Sequence, residues 1–473
     1  MSRHAHSHIR LYTVILFLIL WGLYGSVTNL WDQYGYNLMH AGVEALVERG
    51  HFHLEGSGTP KFSQIEKAEP APGRDSSTDV FRHSGHLYAV KHPGMFFLGA
   101  IVYKPLQLVG IRYEQEYNLA TSLVSWLTSG LLGALVVALI FSQAFQENLS
   151  LHDSLVVALS LGIGSIFFPY SGVLHHDFLG GCFLYFSYHL MCGPVAREDR
   201  RLWRHLLGGF LAGYAFTTSP LAILFLVPFA ITVLWKKGWR NLFYFAVGYI
   251  LGVLPFLLYN GACFGNPFLL PNKAGGVTDT RLGFSLNQMW NKFLWYFILP
   301  RSALWTYAPV FYFALAGLII RAVKKQRDAI ILLGGSFLLF LYIHLIETYG
   351  GATFGPRYLL PAFPLLTVGL IPILGWIEKE REQGFKTWTR VAWIVLGLAF
   401  CVGITICFSG ALRGTMYGME EHPFLYRLKM GLGLSRFQGT PGPYPLLYPV
   451  IFIISLVFYF FPAILEQKSE KEK

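Results

Sequence analysis

Apolar runs of membrane-crossing length recur along the whole chain: Leu11 to Leu30, Asn118 to Gln143, Ser154 to Val173, Asn241 to Asn260, Ala329 to Ile346, Val391 to Ser409 and Pro445 to Ile464. A helix rises ~1.5 Å per residue, so each run is long enough to cross a hydrocarbon core of ~30 Å. A soluble domain has no interior that could hide so many. Only 13% of the 473 residues are charged and 54% are hydrophobic, whereas an ordinary soluble domain is about 25% charged. The expected fold class is all-α, a polytopic membrane protein.

The net charge of +11 would suit nucleic acid if it were gathered in one basic domain, but Lys and Arg sit in short loops between the runs. They read as a topology signal, and no nucleic-acid partner is expected. The five cysteines are scattered, with Cys182, Cys192, Cys401 and Cys407 in or beside apolar runs and Cys263 just after one, so they form no disulfide or metal framework. Leu11 to Leu30 follows Arg3 and Arg10 but is too long for a signal peptide and lacks a small-residue cleavage site, so it reads as the first span.

Basic clusters mark the cytoplasmic side. They are Arg3 with Arg10; Arg197, Arg200, Arg201 and Arg204; Lys236, Lys237 and Arg240; Arg321, Lys324, Lys325 and Arg327; Lys379, Arg381, Lys386 and Arg390; and the tail with Lys468, Lys471 and Lys473. Neighbouring clusters must enclose an even number of spans. Between Arg10 and Arg197 there are five apolar candidates, so one does not cross. Pro93 to Gly110, interrupted by Lys104 and Pro105, is the weakest and fits a helix in the membrane interface. By the same rule Leu206 to Trp235 divides into two short helices around Ser219 and Pro220. The expectation is about twelve transmembrane helices with both termini cytoplasmic.

Function is then sought in the outer segments, because the inner loops are brief and merely basic. In the first, Met39, Val43, Leu46 and Val47 share one helical face while His40, Glu44 and Glu48 fall elsewhere, and Gly50 ends the pattern. That predicts an amphipathic juxtamembrane helix. Gly56 to Ser77 mixes Gly, Pro, Ser and charges and reads as an exposed loop.

Several outer-face residues can carry chemistry. Asp32 stands two residues beyond the first run and is readable as a solvated helix end or as an acid at a membrane-edge site. His175, His176 and Asp177 lie between two runs at a junction that needs no charge for solubility; Asp177 alone also fits the cap of a helix starting at Phe178. Asp32, His176 and Asp177 could ligate a divalent metal, although their spacing matches no specific metal motif. Lys91 in Tyr88-Ala-Val-Lys-His-Pro-Gly94, with His92 beside it, Arg301 before Ser-Ala-Leu-Trp305, and Arg357 in Phe354-Gly-Pro-Arg-Tyr-Leu-Leu-Pro361 add three cations on the same face. Singly such cations snorkel to lipid phosphate. Together they suit a phosphorylated lipid whose departing phosphate needs fixed positive charge. Gly162-Ile-Gly164 lies inside an apolar run and is not a nucleotide-binding turn.

In order along the chain, six stretches are Asn29-Leu-Trp-Asp-Gln-Tyr-Gly-Tyr36, Gly85-His-Leu-Tyr-Ala-Val-Lys-His-Pro-Gly94, Phe168-Pro-Tyr-Ser171 ahead of His176 and Asp177, Tyr259-Asn-Gly-Ala-Cys-Phe-Gly-Asn-Pro267, Arg301-Ser-Ala-Leu-Trp-Thr-Tyr-Ala-Pro309 and Gly355-Pro-Arg-Tyr-Leu-Leu-Pro361. With them the chain resembles the GT-C superfamily of integral-membrane glycosyltransferases, which includes protein O-mannosyltransferases and lipid A aminoarabinose transferases, and looks nearest to its bacterial members. The resemblance implies an essential acid in the first outer loop, matched by Asp32, and often a second acid, matched by Asp177. It also implies juxtamembrane helices in that loop and a polyprenyl- or dolichyl-phosphate sugar donor. The chain departs from those two groups at His92-Pro-Gly94, where they carry a Pro-Pro-Leu-type run, and at Asp32-Gln33, where O-mannosyltransferases carry Asp-Glu. Acceptor class is therefore not inherited.

The expected organisation is a glycosyltransferase module over 1–409, with its first outer loop at 31–117, followed over 410–473 by an outer loop, a last span and a cytoplasmic tail, in a bacterial inner membrane. The expected activity is transfer of a sugar from a lipid-phosphate donor to a hydroxyl on a lipid, glycan or protein acceptor, on the non-cytoplasmic face and with inversion. Asp32 would act as the base, Lys91, His92, Arg301 and Arg357 would hold the donor, and His176 and Asp177 would orient substrate or a metal. The rivals are a lipid or solute transporter, or flippase, and a non-catalytic assembly partner on the same fold. Transporters commonly carry an internal repeat and mid-span ionisable residues; none is evident here.

Overall fold

The computed structural model describes residues 3–28, 35–66, 79–194, 201–274, 285–299, 302–326, 328–346, 353–415 and 447–471. Asp32 and Arg301 lie outside these residues. In chain order the principal elements are α1 (Arg3–Ser26), α2 (Asn37–Glu44), β1 (Val80–His83), β2 (His86–Ala89), α3 (Gly94–Leu108), α4 (Tyr117–Gln146), α5 (Leu151–Gly162), α6 (His176–Cys192), α7 (Leu202–Thr218), α8 (Leu226–Lys237), α9 (Trp239–Phe264), α10 (Val310–Val323), α11 (Gly335–Leu345), α12 (Leu370–Glu382), α13 (Thr387–Arg413) and α14 (Leu447–Lys471).

Among the described residues four helices are long and apolar enough to cross a membrane: Ile9–Ser26, Tyr117–Gln146, Trp239–Phe264 and Thr387–Leu412. Arg357–Thr367 and Leu370–Glu382, bent by 45°, make a fifth if they form one span, and six further apolar helices are shorter. The outer faces of these helices are greasy. On α1, Leu11, Leu18 and Ile19 are 54, 52 and 62% exposed, and Phe243, Ile250 and Leu258 repeat the pattern on α9. Apolar stripes of this extent have lipid as their solvent. The chain is a multi-pass helical membrane protein.

The Ser154 to Val173 run is not one helix. It stops at Gly162, and a short helix, Phe167–Ser171, resumes after a turn. Tyr24 donates its hydroxyl to the Gly162 carbonyl at 2.8 Å, filling the break from α1. The run Leu206 to Trp235 also divides: α7 ends at Thr218, Ser219 is extended, and a 3-10 turn, Pro220–Phe225, leads into α8. Pro220 supplies no N–H and disfavours a helical conformation for the residue before it, which accounts for the break.

α7 crosses α9 at close range. Each carries Gly-xxx-Gly, Gly209 with Gly213 on α7 and Gly248 with Gly252 on α9. A Cβ at Gly209 would lie 2.0 Å from the Phe245 carbonyl oxygen, and one at Gly248 would lie 1.9 Å from that of Leu206. The two backbones touch where side chains would stand, as in close membrane helix pairs. Thr217 adds a hydrogen bond of 2.8 Å to the Gly252 carbonyl.

The first outer segment is more packed than its composition suggests. The helix ends where expected, with α2 continuing as a π turn, Ala45–Arg49, and Gly50 adopting φ 73°. Its polar face, however, is not presented to water. His40 is fully buried with its Nδ1 3.1 Å from the Tyr113 hydroxyl, and Glu44 pairs with Arg49 at 2.8 Å. The start of the expected loop is likewise ordered: Thr59, Phe62 and Ile65 are buried, and Phe62 meets Tyr113 and Tyr117 edge-on. α3 has 15 residues, ~22 Å of helix, which is short of a hydrocarbon core.

Arg321 also differs from its sequence reading as a loop charge. It is 2% exposed and paired with Asp328 at 3.0 Å and with Glu147, while Tyr188 donates to the same Asp328 at 3.3 Å. It ties α10, α6 and the end of α4 together.

Candidate functional site

A hairpin delivers Lys91. β1 and β2 pair antiparallel with Val80 opposite Ala89, and Ser84 and Gly85 turn the chain at φ 50° and 87°. Positive φ at both central residues is the requirement of a two-residue type I′ turn. The ladder extends one step further, with the Val90 N–H donating to the Asp79 carbonyl at 2.9 Å. Lys91 therefore reaches Asp79, Nζ to Oδ1 at 2.6 Å. Lys91 beside it and, more weakly, Arg357 hold the Asp79 carboxyl below the usual carboxylate range, against the opposing effect of burial.

His92 and Gly94 are strapped to the end of α7. His92 Nδ1 lies 2.9 Å from the Phe216 carbonyl, so it carries the proton, and the Tyr214 hydroxyl donates to the Gly94 carbonyl at 2.9 Å. The Phe216 carbonyl belongs to the last turn of α7, where no following helical N–H is available. The other His92 nitrogen is left with its lone pair.

α6 begins beside this strap, and its cap is a histidine. Nδ1 of His175 accepts the Asp177 N–H at 3.2 Å, which puts the imidazole proton on Nε2. Asp177 is therefore not the cap. Its side chain, 1% exposed, turns instead to the break after α7, where the Ser219 hydroxyl donates to Oδ1 at 2.7 Å. Oδ2 receives no hydrogen bond, and the nearest imidazole nitrogen, Nε2 of His176, is 3.4 Å away, longer than a good hydrogen bond. A buried carboxylate oxygen without a donor is costly unless a ligand completes it. Its place in the first turn of α6 offsets part of that cost through the helix dipole.

Arg357 reaches the same cavity from a 3-10 turn, Arg357–Ala362. Gly355 ahead of it has φ 73°, and a Cβ there would stand 2.6 Å from Ile166, so the turn that aims Arg357 requires glycine. The guanidinium lies 5.3 Å from the Tyr358 ring centroid, and its buried Nε makes no hydrogen bond. Lys91, His92, His176, Asp177 and Arg357 line one cavity of about 120 Å³, which Tyr342 and Tyr358 also wall.

Five residues singled out in the sequence thus converge from three regions of the chain. Asp32 and Arg301 lie outside the described residues. For a metal, His175, His176 and Asp177 offer donor atoms within 4.8 Å of one another; the sequence had grouped the last two with Asp32. The residues that reading missed are partners: Ser219, Asp79 and the two tyrosines. A Ser-Gly pair between alternating strands was a legible hairpin signal for Asp79 and Lys91. A serine immediately before Pro220 was a legible sign of a polar group at a helix break.

No protein-family description matches this chain. No curated protein matches it in sequence. Among solved structures it is similar to the crystal structure of ArnT from Cupriavidus metallidurans in the apo state, with a TM-score of 0.51 and 12% identity over 96% of this chain and 76% of that one. At that identity the likeness speaks of architecture alone: the chain shares its fold with that protein.

Proposed function

We propose that this protein is a membrane glycosyltransferase that moves a sugar from a polyprenyl-phosphate-linked donor to a hydroxyl acceptor on the non-cytoplasmic face. The observation that carries the reading is the convergence of Lys91, His92, His176, Asp177 and Arg357 on one cavity within a GT-C-like fold. Cations at a cavity wall suit a phosphate, and the unpaired oxygen of Asp177 suits a sugar hydroxyl or a bound cation.

In this reading the Asp32 carboxylate takes the proton of the acceptor hydroxyl as its oxygen attacks the anomeric carbon. The bond from that carbon to the phosphate oxygen breaks with inversion, and the phosphate leaves with the electron pair. Lys91, Arg301 and Arg357 stabilise the charge on the departing phosphate. Because the phosphate departs without a proton, a single base suffices. The arrangement of about twelve crossings, with both termini cytoplasmic in a bacterial inner membrane and the module over 1–409, belongs to the same proposal and rests on the spacing of the basic loops.

Asp32→Asn tests it. Purified protein in lipid nanodiscs is assayed for consumption of polyprenyl-phosphate sugars, beside mass spectrometry of surface glycolipids and glycans from a deletion strain. Loss of transfer at unchanged membrane abundance supports the reading. An unchanged glycan profile alongside altered solute uptake would replace it with transport.

A further inference from the structure

A second cluster of ligating side chains lies at the far end of the hairpin from Lys91. The segment after Gly50 runs alongside β2: the Leu54 N–H donates to the Leu87 carbonyl at 2.8 Å, and the Leu87 N–H donates to Oε2 of Glu55 at 2.8 Å. That leaves Oε1 of Glu55 facing two imidazoles, with Nδ1 of His86 at 2.5 Å and Nδ1 of His53 at 3.3 Å. His53 stacks between His51, at 3.3 Å between ring centroids, and His86, at 4.5 Å. The buried Nδ1 of His53 makes no hydrogen bond.

We propose that His53, Glu55 and His86 bind a divalent transition-metal ion of the zinc class. Each offers one donor atom, and the three lie within 4.8 Å of one another. Donors around a tetrahedral zinc with bonds of about 2.0–2.1 Å stand about 3.4 Å apart, so His53 and Glu55 are already at that separation, and His86 must draw back from Glu55. Two imidazoles and one carboxylate form a ligand set that zinc uses with a fourth position left to water. Glu55 is held by the Leu87 N–H, and that outer bond orients the ligand.

The proton that His86 Nδ1 donates to Glu55 is released when the ion takes its place, as metal binding to such ligands requires. Burial foremost holds His53 below the ordinary imidazole range, so its lone pair is free. Burial works against the Glu55 charge, but hydrogen bonds from its own backbone N–H, the Leu87 N–H and His86 outweigh it and hold the carboxyl low. Arg49, whose charge acts on His53, is engaged by Glu44 at 2.8 Å. All three ligands are partly exposed, at 25, 32 and 51% for their side chains, so an ion can enter. A bound ion would clip the segment after α2 to the hairpin that presents Lys91. The site does not depend on the transfer reaction proposed above.

The full-length protein in detergent is stripped with chelator, reloaded with zinc, desalted and analysed for metal, and a cobalt-loaded sample is examined for tetrahedral ligand-field bands. One equivalent retained by the wild type and by Asp177→Asn, but lost in His53→Ala with His86→Ala, is the expected result. Should the double variant fail to fold, Glu55→Gln, which keeps the shape and the Leu87 contact, is titrated instead. Its zinc affinity is expected to fall by more than the ~10–100-fold that loss of an outer-shell partner costs. Metal-free wild type after reloading, or zinc binding unchanged by Glu55→Gln, overturns the proposal.

Discussion

Ser219 donates its hydroxyl to Oδ1 of Asp177 at 2.7 Å, joining the break after α7 to the first turn of α6. This is the only hydrogen bond to that carboxylate's side-chain oxygens among the described residues, since Oδ2 has none. Removing it leaves a buried acid with both oxygens unpaired. Ser219→Ala is expected to destabilise the protein by about 1.5–3 kcal/mol, the range for a hydrogen bond to a charged group. Ser219→Thr, which keeps the hydroxyl, is expected to recover most of that. Thermal unfolding in detergent reads both, and equal melting of the alanine variant and the wild type would refute the bond's importance.

Arg357 is a test of geometry over charge. Lysine keeps the positive charge but lacks the planar fork that fits two phosphate oxygens. Arg357→Lys is expected to lower transfer on the order of 10²-fold, comparable to the loss of one donor from a preorganised charge-stabilising site, with unchanged melting. Turnover measured against a panel of polyprenyl-phosphate sugars checks it; wild-type turnover would remove Arg357 from the phosphate.

The pairing of Asp79 with Lys91 carries a pH signature. The Asp79 carboxyl titrates below its ordinary value, so the pair stabilises the fold above the ordinary carboxylate range and loses that contribution as pH falls through the lower, folded value. Asp79 is half exposed, and the contribution is at most about 1 kcal/mol. Hydrogen exchange of the Val90 amide, which bonds to Asp79, is expected to be faster in Asp79→Asn than in the wild type at pH 7. After correction for intrinsic rates, the gap begins to narrow below about pH 4 and closes once the pH lies below the lowered, folded value. A gap that widens on acidification would contradict the assignment.

The α7–α9 crossing admits no Cβ. Gly248→Ala is expected to force the helices apart and to lower the melting temperature sharply, because the atom in the way is the Leu206 carbonyl oxygen and cannot rotate aside. Gly261, further along α9, has nothing within 4 Å of a built Cβ. Gly261→Ala is expected to be neutral or to stabilise by up to ~1 kcal/mol through helix propensity. Similar melting of the two variants would count against a close backbone crossing.

Arg321 pairs with two acids in a buried position. Arg321→Met leaves Glu147 and Asp328 without their cation, and a loss of about 3–5 kcal/mol is expected. Detergent-solubilised yield and unfolding temperature report it. Unchanged melting of the methionine variant would refute the importance of these pairs.

The sequence made the fold class legible because lipid imposes one pattern, long apolar runs, that few other environments permit. It also made the Ser219 break legible, because proline acts locally, and it gathered Lys91, His176, Asp177 and Arg357 on one face through charge parity alone. What it concealed depended on contact between distant segments. His40 and Glu44 look solvated by periodicity yet are covered by the segment around Tyr113 and by Arg49. Arg321 resembles its loop neighbours in composition and differs only in having Glu147 and Asp328 beside it. The Gly162 break was hidden because both halves of the run are equally apolar. Gly209, Gly213, Gly248 and Gly252 were visible as two Gly-xxx-Gly pairs, but nothing in one dimension says that they face each other.

Where α7 meets α9, the contact surface is peptide backbone, identical in every protein whatever its side chains. Only the four glycines are held to their identity by it; the residues around them need only remain apolar. A crossing built in this way can keep its shape while nearly every letter around it changes.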